Sequence, residues 1–342
     1  MYNMKKLFFI TCFFCSRHLF AQNESHYSTL NFISKEISRV AVNANYSYQP
    51  KAFDSANNAI NYSVNNLPAW LGWNTGTQGL SGDAIKAGQY PVDIIAYTKK
   101  DTAHQHFMLT VYDNQTTNIL CLGNSITNGV DTFNSYRRNL WQLLHAGNYN
   151  FDFIGSWSKH HMGTDVPVPD FDMDNEGHSG WTFEHILQPP SWDSARGNLH
   201  QWIKNYRPAI VLMELGTNDV FQCRTVEQMF GNLNVIIYLL REKDKNVKIF
   251  LAQIPPLGKQ WSDKKLCGND TTYHDAIINF NKAIAVYAKE HSTKQSPMIV
   301  VDQYTGINPA TDMFDDIHPN TNGEKIMAER WFDAIKPYLK KL

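Results

Sequence analysis

The stretch at residues 118–129 (NILCLGNSITNG) contains a serine whose position suits a nucleophile. An apolar run at 119–122 predicts a buried strand, and a Gly-Asn-Ser turn follows it. A serine just past a strand stands at the carboxyl edge of a sheet, where open α/β folds bind their ligands. Gly123 allows the sharp turn, and Ser125 then presents a hydroxyl group and a backbone N–H to one point. Taken alone, such a serine is more often structural.

Three later stretches contain the other residue types that acyl transfer requires, in the order glycine, asparagine and histidine. They are residues 176–182 (EGHSGWT), 216–219 (GTND) and 315–318 (DDIH). Together with the serine turn, they resemble the four signature blocks of the SGNH (GDSL-like) hydrolases. The resemblance extends from residue 118 to the C-terminal end. It implies a serine esterase that needs no cofactor.

Acyl transfer needs a nucleophile, a base, a group that orients the base, and donors for the developing oxyanion. Ser125 is the nucleophile candidate. His318 is the base candidate, since it precedes Pro319 in the loop after the last predicted strand. Asp315 lies three residues earlier and can turn back to accept the imidazole N–H. Asp316 competes for this role, but the family pattern Asp-x-x-His selects Asp315.

Three groups are candidate donors for the oxyanion: the N–H of Ser125, the N–H of Gly180 and the side-chain amide of Asn218. Glycine at position 180 would let the backbone approach the substrate closely. Asn218 follows a predicted strand at the active edge, although Asn-Asp pairs are also frequent in turns. Trp181 and Asp219 are candidate substrate-binding residues, with packing and loop bracing as their structural alternatives.

The second block has the form EGHSGWT, which is similar to that of microbial acetylxylan esterases and related carbohydrate esterases. Asn124 replaces the aspartate of many GDSL motifs, a change that leaves the nucleophile unaffected. We therefore expect removal of O-acetyl groups from xylan or a similar polysaccharide. The alternatives are a lysophospholipase or thioesterase of the same fold, and a non-catalytic carbohydrate-binding protein. No long apolar segment predicts a lid for lipid.

The composition limits the classes of partner. The chain is 43% hydrophobic and 18% charged, as in globular proteins, and its formal net charge is -1 at pH 7. No basic stripe is present, so nucleic acid and anionic membranes are poor candidate partners. An acetylated polysaccharide or oligosaccharide remains the expected partner.

Residues 1–21 have the pattern of a secretory signal peptide. Two lysines precede an apolar run at 7–15, and a small residue, Ala21, ends the segment. The run is far shorter than the ~20 apolar residues of a spanning helix. Bulky residues just before Cys15 disfavour lipidation. We expect a secreted or periplasmic protein with no integral membrane segment after removal of the signal.

Three cysteines follow the predicted signal. Cys121 lies in the strand before the serine turn and is expected to be a small buried hydrophobe. Cys223 and Cys267 fall in loops after predicted strands, so we expect a disulfide between them in an exported protein. No Cys-x-x-Cys or close histidine pair accompanies the cysteines, which argues against a metal site.

The elements that position the catalytic blocks follow from residue 115 onward, where apolar strands and amphipathic helices alternate. The predicted strands are 119–122, 151–155, 209–215, 247–254 and 298–302, and the helices are 136–144, 199–206, 226–240, 276–287 and 323–339. The strands lack polar alternation, so the sheet should be parallel and covered on both faces. This pattern predicts a three-layer α/β/α sandwich, the fold that the SGNH resemblance also implies.

Residues 22–114 differ, because short β-type runs alternate with Gly, Asn, Asp and Ser clusters and predict a small antiparallel sandwich. The runs are 46–49, 60–64, 92–97 and 106–112. The motifs NLPAWLGW, GLSG and AGQY resemble cadherin-like or Ig-like modules of bacterial exoproteins. Trp70 and Trp73 are expected in its core, with sugar stacking as the alternative. The expected role is a spacer or packing partner.

Overall fold

The computed structural model describes residues 29–342 of the 342-residue chain. The predicted signal peptide at 1–21, and with it Cys15, lies outside the described residues. Within the described range, no helix combines the length and the apolar character that crossing a membrane requires.

The N-terminal module is built from short strands in two main sheets. The strands are β1 (Leu30–Phe32), β2 (Arg39–Ala41), β3 (Asn45–Tyr48), β4 (Ala52–Asp54), β5 (Asn61–Asn65), β6 (Leu71–Asn74), β7 (Gly79–Asp83), β8 (Gly88–Tyr97) and β9 (Thr102–Tyr112). One sheet has the order β2-β9-β8-β5 and the other β3-β7-β6, while β1 pairs with β4. The pairs are antiparallel as predicted, except that β2 runs parallel to β9. A hairpin would require an antiparallel pair, but β2 and β9 are not joined by a hairpin, so the two strands can pair in parallel.

Alternate residues of both sheets form the core of this module. Tyr46 on β3 faces the same core as Val92 and Ile94 on β8. The alternation of buried and exposed positions along β3 is the period of two expected of a half-buried strand. Trp70 and Trp73 pack against this core, and Trp70 meets Tyr46 edge-on with ring centroids 6.5 Å apart. Both tryptophans therefore have the packing role.

The C-terminal part alternates strands with helices. Its strands are β10 (Thr117–Gly123), β11 (Phe151–Ile154), β12 (Glu176–Gly177), β13 (Ile210–Glu214), β14 (Lys248–Gln253) and β15 (Met298–Asp302). Its α-helices are α1 (Ser125–Asn128), α2 (Tyr136–Ala146), α3 (Phe183–Leu187), α4 (Leu199–Asn205), α5 (Thr217–Phe221), α6 (Val226–Lys243), α7 (Lys259–Ser262), α8 (Tyr273–His291), α9 (Pro309–Asp312) and α10 (Thr321–Ile335). Turns of 3-10 helix span His161–Gly163, Ser191–Arg196, Leu266–Gly268 and Lys336–Tyr338.

The strands of this part form a parallel sheet of order β11-β10-β13-β14-β15, with β12 beside the end of β10. The predicted strand 298–302 coincides with β15, and the other predicted strands differ from the observed ones by one or two residues at an end. The chain passes from β10 to β11 on one side and returns to β13 on the other. The carboxyl end of β10 is therefore the switch point at which open α/β sheets bind ligands.

Each central strand contributes to two apolar cores, one on either face of the sheet. On β10, Leu120 and Leu122 join a core with α3, α4, α6 and α8. Ile119 and Cys121 join the other core with α2 and α10. Helices on both faces make the predicted three-layer α/β/α sandwich, and burial on both faces explains the continuous apolar runs. Cys121 is fully buried, as a small core residue should be.

The two parts of the chain share a polar and apolar interface. Arg39 on β2 pairs with Asp152 on β11 at 3.0 Å, and the Asp152 side chain is almost fully enclosed. The indole N–H of Trp141 on α2 donates to the side-chain oxygen of Gln89 on β8 at 2.7 Å. Met108 on β9 packs into one of the two cores of the parallel-sheet domain. The N-terminal module is thus packed directly against the domain that carries the signature blocks.

Candidate active site

Ser125 begins α1, a single helical turn directly after β10. Asn124 caps this turn, because its side-chain oxygen accepts the N–H of Ile126 at 2.8 Å. The position before it has to be glycine: a Cβ on Gly123 would lie only 2.6 Å from the carbonyl oxygen of Glu214 on the neighbouring strand. The tight turn places the Ser125 side chain at the carboxyl edge of the sheet, where the sequence predicted a nucleophile.

Ser125, His318 and Asp315 form a continuous hydrogen-bonded chain. The Oγ of Ser125 lies 2.8 Å from Nε2 of His318, and Nδ1 of His318 lies 2.7 Å from Oδ2 of Asp315. Burial by itself would raise the pKa of Asp315, but the hydrogen bonds from His318 hold this pKa below its ordinary value. The Asp316 side chain turns elsewhere and lies against Gly258, and the backbone carbonyl of Asp316 accepts the N–H of Gly258 at 2.7 Å. Of the two aspartates, Asp315 is the one that can orient the imidazole.

The three predicted oxyanion donors line one pocket with His318. Gly180 has a φ of 80°, a left-handed conformation that favours glycine. Within residues 29–342, neither the N–H of Ser125 nor that of Gly180 donates to another group. The amide of Asn218 gives one hydrogen to the carbonyl of Trp181 at 2.9 Å, which leaves its second hydrogen for a ligand.

A buried pair of titratable side chains supports the loop of the second block. Nε2 of His178 lies 2.9 Å from Oε2 of Glu176, and both side chains are almost fully enclosed. The other carboxylate oxygen accepts the hydroxyl of Tyr206 and the N–H of Ser156, each at 2.6 Å. The N–H of His178 donates to the carbonyl of Gly123 at 3.0 Å, which ties this loop to the nucleophile turn. A fully satisfied buried network of this kind makes the loop rigid.

Trp181 and Asp219 lie beneath the pocket, which corrects the expectation that they bind substrate. Trp181 has no exposed surface and packs in one aromatic cluster with His178 and Trp202, whose ring centroids lie 4.3 and 6.0 Å away. An indole contributes most to the stability of the fold when its large apolar surface is buried. Asp219 accepts the N–H of Phe183 at 3.3 Å, the loop-bracing role. Burial raises the pKa of Asp219 to about 7.

The serine, histidine and aspartate open into a pocket of about 790 Å³. Its apolar walls are formed by Val130, Trp192, Phe221, Trp261, Phe314 and Ile317. This volume is larger than an acetyl group requires and falls within the range of small-molecule sites. The sequence predicted no apolar groove, because these side chains come from distant segments and no single apolar run marks them.

Cys223 and Cys267 form a disulfide, with their Cα atoms 6.3 Å apart. Cys223 follows α5, which ends at the pocket-lining Phe221. Cys267 follows α7, whose Trp261 packs edge-on against Phe221 with centroids 5.1 Å apart. The bond therefore joins two segments of the pocket wall that are 44 positions apart in sequence.

Glu214 is a buried acid behind the nucleophile turn. It ends β13 and lies opposite Gly123 in the parallel register. Neither carboxylate oxygen has a hydrogen-bond partner among the described residues. Burial raises the pKa of Glu214 to about 8, so the folded protein holds this side chain protonated at neutral pH. A glutamate at the end of an otherwise apolar strand was an available signal for this group.

Sequence reasoning also missed Trp192 and His161, which both line the catalytic pocket. Trp192 stands in the Ser191–Arg196 turn after two prolines, and an aromatic residue in such a turn was an available signal. His161 stands in the His161–Gly163 turn. Burial, and to a smaller extent the nearby His318, lowers the pKa of His161, so His161 is neutral at pH 7.

A group of metal-ligating type lies in the N-terminal module. Asp93 on β8 and His104 and His106 on β9 place their ligand atoms within 4.8 Å of one another. None of these three residues lines the catalytic pocket. That pocket holds the hydrogen-bonded pair Ser125 and His318, an arrangement that can perform nucleophilic catalysis.

Comparison with known proteins agrees with this geometry. Residues 121–326, more than half of the chain, match the model of the GDSL-like Lipase/Acylhydrolase family. Residues 31–112 match the model described as "Putative Ig domain". The chain is 30% identical over 238 residues to a multidomain esterase of Ruminococcus flavefaciens. That match spans 66% of this chain but only 29% of the relative.

Solved structures give the same assignment for the parallel-sheet domain. A mutant acetyl esterase crystallised with an acetate ion is 26% identical, with a TM-score of 0.52, and the match covers 65% of this chain and 98% of that one. A carbohydrate esterase family 3 enzyme from Talaromyces cellulolyticus is 27% identical with the same TM-score and coverage. The chain therefore belongs to the GDSL-like lipase/acylhydrolase family of carboxylic-ester hydrolases.

Proposed function

We propose that this protein is a secreted serine esterase that removes O-acetyl groups from xylan or a similar polysaccharide. The observation that carries the proposal is the hydrogen-bonded chain of Ser125, His318 and Asp315, which opens into a pocket shared with Gly180 and Asn218. The names of the similar structures, an acetyl esterase and a carbohydrate esterase, support the choice of substrate class.

The proposed reaction has two halves. Ser125 Oγ attacks the ester carbonyl while its proton passes to Nε2 of His318, and Asp315 stabilises the imidazolium. The tetrahedral oxyanion accepts hydrogen bonds from the Ser125 and Gly180 N–H groups and the Asn218 amide. The bond to the sugar oxygen then breaks, and the alcohol leaves with the proton from His318. Water repeats the sequence on the acyl-enzyme and releases acetate.

The size of the pocket bears on the competing esterase functions. An acetyl group fills only part of about 790 Å³, so the remainder would hold either the sugar or a longer acyl chain. Each extra buried methylene is worth about 0.8 kcal/mol, so a lysophospholipase or thioesterase would favour long chains. A non-catalytic carbohydrate-binding protein would need no hydrogen bond between Ser125 and His318, yet these side chains lie 2.8 Å apart.

Export is proposed on two grounds. Residues 1–21 have the pattern of a signal peptide. The Cys223–Cys267 disulfide is a bond that persists in oxidising compartments.

The test is acetate release from a panel of acetylated glycans, together with aryl acetate, butyrate and octanoate. We expect acetate release from at least one glycan, and faster turnover of aryl acetate than of butyrate, with little turnover of octanoate. A chelator should have no effect on these rates. Faster turnover of octanoate than of acetate would favour the lipolytic function instead.

Ser125→Ala identifies the nucleophile in the same assay. Its activity should fall by a factor of about 10⁶, the scale measured when a member of a serine triad is removed. The Ser125 hydroxyl hydrogen-bonds His318, whose side chain is partly exposed and can hydrogen-bond water in its place, so the melting temperature should change little. Activity retained in the pure variant would exclude Ser125 as the nucleophile.

A further inference from the structure

An exposed tryptophan stands beside the oxyanion donors. Trp192 is 65% exposed, although tryptophan is highly buried on average. A side chain at Gly180 would meet the indole of Trp192 at 3.5 Å, so the ring lies next to this donor. The N–H of Asp193 donates to the carbonyl of Pro190 at 2.9 Å, which fixes the turn that carries the ring. Trp192 is therefore a fixed aromatic surface at the edge of the catalytic pocket.

A smaller cavity, the side cleft, is also lined by this tryptophan. It has a volume of about 240 Å³ and shares the lining residues Trp192, His161 and Ser179 with the catalytic pocket, so the two cavities are adjacent. The side chains that characterise the side cleft are Asn128, Trp157, His161, Trp192, Asp193 and Arg196. At about 30 Å³ per water, the volume equals about eight water molecules, the scale of a single sugar unit.

Arg196 provides fixed hydrogen-bond donors in the side cleft. Its guanidinium carbon lies 3.2 Å from the centroid of a ring of Trp157, and its Nε donates to Asp193 at 3.0 Å. The other Asp193 oxygen accepts the indole N–H of Trp181 at 3.1 Å, which anchors the pair to the core. The terminal nitrogens of Arg196 donate to no acceptor in the part of the chain that the structure describes. They remain available to a ligand.

We propose that the side cleft is a subsite for the sugar unit next to the acetylated one, with Trp192 stacking against the sugar. A sugar ring has apolar C–H faces and a rim of hydroxyl groups, which match an aromatic surface and a few fixed polar groups. An acyl chain in the side cleft would remove water from Arg196 and Asp193 without replacing its hydrogen bonds, which is unfavourable. The subsite rests on the proposed esterase function and adds that oligomers are preferred over single acetylated sugars.

The test compares kcat/KM for mono-O-acetylated oligosaccharides of one, two and three units, taken from the glycan that reacts fastest in the panel above. For the unmodified protein, we expect about a tenfold rise from one unit to two, which is about 1.4 kcal/mol. Trp192→Ala should lose most of this rise in kcat/KM from one unit to two, and because the rise is a ratio within one variant, any general change in activity that also appears on aryl acetate cancels from it. Arg196→Met, which removes the donors but keeps much of the apolar stem, should lose part of it.

Tyr238→Ala is the matched control, because Tyr238 is an aromatic residue on α6 with 61% exposure that lines neither cavity. The Tyr238→Ala variant should keep the full rise in kcat/KM from one sugar unit to two. An equal rise in Trp192→Ala and in the control, or no rise in the unmodified protein, would overturn the subsite while hydrolysis of acetylated sugars continued. Failure to hydrolyse any ester, including aryl acetate, would instead refute the esterase function on which the subsite rests.

Discussion

Two adjacent aspartates in the DDIH motif have different surroundings. Asp315 accepts a hydrogen bond from the imidazole of His318, whereas Asp316 contacts Gly258. Asp315→Asn should therefore lower kcat by up to about 10⁴, because an amide cannot hold the imidazole in the required tautomer. Asp316→Asn is the matched control and should keep its activity. Equal losses in the two variants would show that the imidazole is oriented by another group.

Activity on aryl acetate should also rise with pH, because a general base can accept the proton of Ser125 only in its unprotonated form. The Asp315 carboxylate stays ionised over this range, since its pKa lies below the ordinary value. A rate profile of kcat/KM on aryl acetate measures this dependence. A profile that falls with rising pH would contradict the assignment of His318 as the base.

Glu214 gives the stability of the protein a pH dependence of its own. Burial raises the pKa of this carboxyl group from 4.5 to about 8 in the folded state. Between these values the unfolded chain releases the proton and the folded chain keeps it, so the free energy of unfolding falls as pH rises. Glu214→Gln should remove this part of the fall. Its melting temperature should decrease less between pH 5 and pH 8 than that of the unmodified protein.

The control for this measurement is Glu242→Gln, a substitution at an exposed glutamate on α6. Other buried carboxyl groups contribute to the same pH range, so only the difference between each variant and the unmodified protein is informative. Parallel curves for Glu214→Gln and the unmodified protein would show that Glu214 does not carry the proton.

At the scale of elements, the disulfide holds the segments after α5 and α7 together. Its loop spans 44 positions, for which the chain-entropy model gives about 4 kcal/mol, an upper value in practice. The double variant Cys223→Ala/Cys267→Ala should unfold at a lower urea concentration and show a raised KM, because Phe221 and Trp261 line the pocket on either side of the bond.

Thiol titration of the denatured protein checks the bond itself. Within residues 29–342, the oxidised chain should show one free thiol, that of Cys121, and reduction should add two. Three free thiols from this range in protein purified without a reductant would refute the disulfide. An unchanged unfolding midpoint in the double variant would show that the bond adds no stability.

At the scale of the whole molecule, the N-terminal module contacts the catalytic domain through Arg39. This side chain pairs with Asp152 at 3.0 Å, and Arg39→Ala would leave a buried carboxyl group without its cation. We expect a loss of about 2 kcal/mol in the free energy of unfolding, less than for a fully buried pair because Arg39 is partly exposed. Urea denaturation of the variant and of the unmodified protein at neutral pH measures this loss in the free energy of unfolding.

Lys35→Ala is the matched control at the same interface, because Lys35 donates to the carbonyl of Ser156 at an exposed position. This loss should be no more than about 0.5 kcal/mol. Equal effects of the two substitutions would show that the buried pair contributes nothing particular. Deletion of residues 22–114 would uncover Asp152 and the face around Met108, so substitutions test the module more cleanly than truncation does.

The sequence by itself predicted the fold class, which the structure confirms, and named the residues that the structure brings together at the candidate active site. Apolar runs without polar alternation require burial on both faces of a parallel sheet, and the bounds of β15 follow from its run alone. Ser125, Gly180, Asn218, Asp315 and His318 were identified because local turns and motif order carry that information. Strand ends shifted by a residue or two, since hydrogen bonding between strands, and not composition, decides where a ladder stops.

Only the tertiary structure decided which side chains face the pocket. Trp181 and Trp192 are both tryptophans near the second block, yet the first is fully buried and the second is exposed. The raised pKa of Glu214 likewise depends on helices and strands that enclose it from distant parts of the chain. Burial and pocket shape arise from contacts between residues far apart in sequence, and no local pattern encodes them.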